Sequence, residues 1–222
     1  MTQPRPVSSR KLLTWLGLLM GVAGLVLQFS LSLQVANAAG RDFPGFLGHF
    51  FAFYTILTNV VLVLIYASQL WTTKLLALFR RPVVRGLMAA NIALVGLYVF
   101  FVLRFINPLS GVFLVADTIL HYVCPTIYVL WWLLTLRHAL LRWADLPAML
   151  APTLVYFIYV LARGVWVEEY PYPFLNAIKL GYPQVLLGAV YMAVALAVLC
   201  LAVIALDKSL GRRRLSDNSQ LS

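Results

Sequence analysis

Two ionisable groups stand inside what otherwise reads as hydrocarbon. The run D-T-I-L-H-Y-V-C-P at residues 117–125 opens an apolar stretch that continues through T-I-Y-V-L-W-W-L-L-T-L to residue 136. Wound as a helix, it carries Asp117, His121, Cys124 and Tyr128 on one face, at offsets of four, seven and eleven. A carboxylate one turn before an imidazole is the arrangement that orients a general base, and such a base activates a hydroxyl that is a weak nucleophile alone. Hydroxyls are present on another apolar stretch, where F-Y-T-I-L-T-N sets Thr55, Thr58 and Asn59 at i, i+3 and i+4. Charged groups facing lipid are costly, so both polar faces must look into a protein interior or a wet cavity.

The elements that hold these faces follow from composition. The chain of 222 residues is 63% hydrophobic and 11% charged, more apolar than a water-soluble domain can hide. It reads as an all-α, polytopic membrane protein with a six-helix bundle. The expected spans are residues 12–36, 47–71, 84–105, 117–136, 148–167 and 184–206, each long enough to cross about 30 Å of hydrocarbon. Residues 1–11 form a basic tail and residues 207–222 a polar tail. Ala36-Asn37-Ala38 matches a signal-peptidase site, but the preceding apolar run exceeds an ordinary signal sequence. Gly17, Gly21 and Gly24 give it a face suited to helix packing, and it reads as an uncleaved first span.

The remaining polar residues sort by position. His49, near the start of the second span, is rotated away from the Thr55 face and reads as interfacial. Tyr156, Tyr159 and Arg163 share a face of the fifth span, where Arg163 can reach the interface, point inward or hold a carboxylate. His138, beside Arg137 in a loop, reads as solvated. The loop V-E-E-Y-P-Y-P-F-L-N before the last span is stiffened by prolines and suits a lid or collar. Cys124 and Cys200 lack metal-ligand spacing and read as small buried hydrophobes, so no metal or other cofactor is expected.

The basic residues orient the bundle. Three Lys/Arg lie in the N-terminal tail, four in the second loop, two in the fourth and four in the C-terminal tail, thirteen of the seventeen. Only Arg41, Arg104, Arg163 and Lys179 fall on the other side. The positive-inside rule therefore puts both termini in the cytoplasm, with the bundle in the plasma membrane. The formal charge of +10 fits anionic lipid head groups, not nucleic acid, because the basic residues lie between apolar runs.

F-Y-T-I-L-T-N, L-H-Y-V-C-P and Y-P-Y-P-F-L together resemble the bacterial six-helix membrane proteins that are similar to the eukaryotic androgen-induced family, over residues 11–207. The eukaryotic relatives are intramembrane threonine hydrolases that cleave fatty acid esters of hydroxy fatty acids. The resemblance implies a nucleophilic threonine at Thr55 and a working histidine at His121, with Thr58 a second candidate three residues on.

Chemistry independent of the resemblance is compatible with the same roles. Thr55 lies about eight residues into its span and His121 about four into its own, so their depths differ by about 6 Å. Asp117 then orients the imidazole. Arg163, Thr58, Asn59 and Tyr159 are expected to contact a lipid or fatty-acyl ester substrate. Two other readings use the same residues. A small-solute transporter or channel requires polar lining from Thr55 through Asn59 and Asn91 to the inner face. A haem protein requires His49 and His121 to face each other. A non-catalytic membrane protein, with every polar group satisfied inside the bundle, is a further reading.

Overall fold

The computed structural model describes residues 9–106 and 108–220, with side chains described for residues 10–106 and 108–212. Most of the basic N-terminal tail and the last two residues of the C-terminal tail lie outside the described residues. The described chain is all-helical, with five helices long and apolar enough to cross a membrane, or six when one sharply bent pair counts as a span. It is a multi-pass helical membrane protein.

Helix α1 (Ser9–Ala38) leads through a glycine turn to the short α2 (Phe43–Phe50) and then α3 (Tyr54–Leu70). Next come α4 (Pro82–Tyr98), a π-helical turn at Val99–Leu103 and the short α5 (Arg104–Ile106). The fourth span is α6 (Gly111–Thr118), a second π-helical turn at Ile119–Val123 and α7 (Cys124–Thr135). Helix α8 (Leu146–Val167), the short α9 (Ala177–Leu180) and α10 (Tyr182–Gln220) complete the chain. Helical backbone continues well past residue 206, where the sequence suggested that a polar tail begins.

The second span departs most from expectation. A single helix over residues 47–71 is replaced by α2 and α3, bent by 79° at residues 51–53. Asp42 caps α2 by accepting from the Gly45 N–H, and Pro44 suits its first turn. Phe46 and Phe50 then pack edge-on against Phe29 of α1, with ring centroids 5.0 and 5.2 Å apart. At the elbow, the Tyr156 hydroxyl of α8 donates to the Ala52 carbonyl at 2.9 Å. A backbone acceptor freed by the bend is thereby satisfied. The elbow makes Thr55 a first-turn residue of α3 instead of a mid-span one.

Helix α1 packs on α3 and on the π turn of the fourth span through its small-residue face. A Cβ at Gly24 would lie 2.6 Å from Ile119 Cγ2 and 2.9 Å from Leu120 Cδ2, so only glycine lets α1 approach the π turn that carries His121. In the other half of the bundle, Tyr66, Tyr128 and Trp131 fill the core with α4 and α10. His138 is buried, which corrects its reading as solvated: its Nδ1 lies 3.1 Å from Asp207 Oδ1 and its Nε2 3.0 Å from the Leu133 carbonyl. Asp207 also accepts the N–H groups of Leu140 and Leu141, both at 2.8 Å, and so ties the loop after α7 to α10.

Candidate active site

Two helices meet where the sequence placed their polar faces. His121 Nε2 lies 3.1 Å from Thr55 Oγ1, and His121 Nδ1 lies 2.8 Å from Asp117 Oδ1. A carboxylate offers only lone pairs, so this arrangement puts the ring proton on Nδ1 and leaves Nε2 to accept the threonine proton. Thr55 is buried, and the side chains of His121 and Asp117 are 14% and 19% exposed. That low exposure keeps the three groups away from bulk water while leaving them reachable.

The π turn explains how the histidine is held. The Cys124 N–H bonds to the Ile119 carbonyl, five residues back, and Pro125 has no N–H to give. The Leu120 and His121 carbonyls thus lose their ordinary helical donors. Asn59 Nδ2 supplies Leu120 O at 3.3 Å and also donates to Thr55 O at 2.9 Å, bridging the threonine helix to the histidine helix. Gly96 of α4 lies against the freed His121 carbonyl, which a Cβ there would approach to 3.2 Å. Asn59 is fully buried and serves this junction.

Other candidates separate by position. Thr58 Oγ1 donates back to Tyr54 O at 2.9 Å and Thr55 O at 3.0 Å, a local bond within α3, so the hydroxyl beside His121 is that of Thr55. Cys124 and Tyr128 are buried, but Tyr128 joins the Tyr66 and Trp131 cluster and donates to Arg85 O at 3.0 Å. The polar face of the fourth span therefore ends at His121. Tyr159 is 42% exposed and lines no part of the cavity, whereas Tyr156 does line it.

Arg163 is engaged within the chain. Its Nη1 donates to Glu169 O at 3.2 Å and its Nη2 lies 3.6 Å from Glu169 Oε2. The same carboxylate accepts two bonds from Arg41, at 2.5 and 3.0 Å, and lies 3.3 Å from His49 Nδ1. The Arg41 hydrogen bond holds the Glu169 carboxyl at about 2, well below its ordinary value. His49 faces Glu169 and Phe53, while His121 faces Thr55 and Asp117, so the two imidazoles look at different partners.

Thr55 opens onto a cavity of about 470 Å³ between the ends of α3 and α4 and the facing sides of α8 and α10. Its walls are almost wholly apolar, with Leu94, Val99, Phe157, Ala193 and Leu196 among them. The π turn at Val99–Leu103 contributes two wall residues. Within this wall Tyr54 and Thr153 are tied to Asn91 in a closed set of hydrogen bonds, Thr153 donating at 2.8 Å. Neither Asn59 nor Asn91 lines the cavity, so it does not continue as a polar path toward the opposite end of the bundle.

Sequence reasoning passed over Tyr172, Tyr54 and Thr153. Tyr172 sat within Y-P-Y-P-F-L but was read only as part of a proline-stiffened lid or collar. Its placement between two prolines was the available signal, since both fix the backbone around it. No protein-family model, curated protein or solved structure matches the chain.

Proposed function

We propose that the protein is an intramembrane threonine hydrolase of fatty-acyl esters, acting from the outer half of the plasma membrane with both termini cytoplasmic. The observation that carries this reading is the unbroken chain of contacts from Thr55 through His121 to Asp117, with Thr55 in the wall of an apolar cavity. A hydroxyl, a base and a group orienting the base constitute an acyl-transfer unit, recognised by geometry and not by chain order. The apolar walls suit an acyl chain entering from the bilayer. The sequence resemblance to an androgen-induced type of threonine hydrolase supports the same assignment, and the thirteen-to-four distribution of basic residues supports the orientation.

In the reaction, Thr55 Oγ attacks the ester carbonyl carbon as its proton passes to His121 Nε2. Collapse of the tetrahedral species breaks the bond to the alcohol oxygen, which takes the proton back from His121. Water then attacks the acyl-threonine with the same histidine as base, releasing the fatty acid and restoring the hydroxyl. Asp117 holds the imidazole in the useful tautomer and balances its charge when protonated.

Labelling the purified protein with a lipophilic fluorophosphonate, alongside turnover of a fatty-acyl ester, tests the assignment. Thr55→Ala and His121→Ala should each remove nearly all of both signals, and the double variant should add little to either single loss. Asp117→Asn should retain more activity than either, and Thr58→Ala should label normally. Undiminished labelling and turnover in a folded Thr55→Ala protein would refute the proposal.

A further inference from the structure

On the hydrolase reading, the negative charge that develops on the ester carbonyl oxygen needs donors of its own, and neither His121 nor Asp117 is free to supply them. We propose that the Tyr172 hydroxyl, together with the Thr55 backbone N–H, forms the oxyanion hole, so that Tyr172 is a further catalytic residue. The Thr55 N–H donates to the Tyr172 hydroxyl oxygen at 3.4 Å. That is long for a direct bond between them, yet short enough for a single oxygen to take a bond of 2.7–3.1 Å from each.

The chain holds Tyr172 for such a role. Pro173 disfavours helical backbone at the preceding residue, and Tyr172 is extended, with φ −133° and ψ 143°. Its ring is stacked on Phe174 with centroids 5.4 Å apart and meets Phe53 edge-on at 5.7 Å, which fixes the direction of the hydroxyl. Buried Leu175 anchors the following turn, and Glu169 pins the strap upstream through Arg41. Thr55 is in the first turn of α3, where backbone N–H groups have no helical acceptor. Both Tyr172 and Thr55 line the cavity that would hold the ester. Burial pushes the Tyr172 phenol above its ordinary value, which keeps it a proton-bearing donor.

When Thr55 Oγ bonds to the carbonyl carbon, the electron pair of the C=O bond moves onto oxygen. That oxygen then accepts from the Tyr172 O–H and the Thr55 N–H. Collapse returns the pair to the carbonyl as the alcohol departs with the proton from His121. Tyr172 keeps its proton throughout and so needs no partner to reset it.

The test compares the parent with Tyr172→Phe, which retains the ring contacts, in three measurements. Turnover of a fatty-acyl ester should fall by about 10²–10³ in kcat with KM little changed. Affinity for a long-chain trifluoromethyl ketone, which adds to Thr55 as an anionic adduct, should weaken by a similar factor. Affinity for the corresponding long-chain ether, which has no carbonyl, should be unaltered. A variant carrying 3-fluorotyrosine at position 172 keeps the donor and should retain most activity, separating loss of the hydroxyl from loss of the fold. Turnover within threefold of the parent, or equal weakening of ketone and ether, overturns the role of Tyr172 and leaves the Thr55 assignment standing. A parent protein with no Thr55-dependent turnover takes both down.

Discussion

If the acyl chain lies in the apolar cavity, the rate must depend on chain length in a way the cavity sets. The methylenes of an acyl chain make no hydrogen bonds, so each one added contributes only its removal from water, about 0.8 kcal/mol. That corresponds to about a fourfold gain in kcat/KM per carbon when substrate concentration is referred to the aqueous phase. Referred instead to its mole fraction in micelle or bilayer, the gain should vanish, because hydrocarbon is as apolar as the pocket. The rise must also stop. At about 30 Å³ per carbon, taken as similar to a water molecule, 470 Å³ corresponds to about fifteen methylenes. Ala193 lies on the α10 face of the cavity between Ala189 and Leu196, so Ala193→Phe should move the levelling-off point several carbons shorter without changing the slope below it. The assay is hydrolysis of a homologous p-nitrophenyl ester series, with free aqueous substrate determined for each member. A flat aqueous-referenced series among short chains, or an Ala193→Phe protein with the parent's profile, would refute the placement of the acyl chain.

Three further outcomes follow from contacts away from the reacting atoms. Gly24→Leu should push on Ile119 and Leu120, destabilise the protein by about 1–3 kcal/mol and lower fluorophosphonate labelling; a parent-like melting temperature and labelling rate would refute this. Glu169 has a depressed carboxyl, so its contribution is present above its ordinary value of 4.5 and lost as pH falls toward about 2. The stability difference between the parent and Glu169→Gln should therefore be of order 1 kcal/mol at neutral pH, since solvent reaches the pair, and should shrink as pH falls below about 4.5 and close toward pH 2. Asp207→Asn replaces an acceptor of two backbone N–H groups with an amide, and should cost about 1–3 kcal/mol in detergent melts while leaving turnover by the folded fraction unchanged.

The candidate site residues were legible because their signals are local. Asp117 and His121 are four residues apart, a spacing that survives the π turn, and Thr55 belongs to a polar face visible against apolar neighbours. The bend at residues 51–53 was not legible, since F-A-F contains no proline or glycine to mark it. Its cause is distant: Tyr156, more than a hundred residues on, caps the Ala52 carbonyl, and Phe29 receives the rings of α2. Arg163 and Tyr159 shared a helical face on paper, yet Glu169 captured one and the other points outward. His138 misled for the same reason, its partner Asp207 lying on another helix. Periodicity gives the faces of helices, whereas long-range partners decide which of those faces meet.

The ion pair between Arg41 and Glu169 joins residues 128 positions apart, one just after the first span and the other just after the fifth. Spans inserted one after another would bring Thr55, His121 and Asp117 together once the fourth is in place. The walls contributed by α8 and α10, and the strap carrying Tyr172, arrive only with the end of translation. A nascent chain would thus hold its nucleophile beside its base before it had anywhere to bind a lipid. On the hydrolase reading, the order of synthesis itself keeps an unfinished enzyme from acting on the membrane into which it is being inserted.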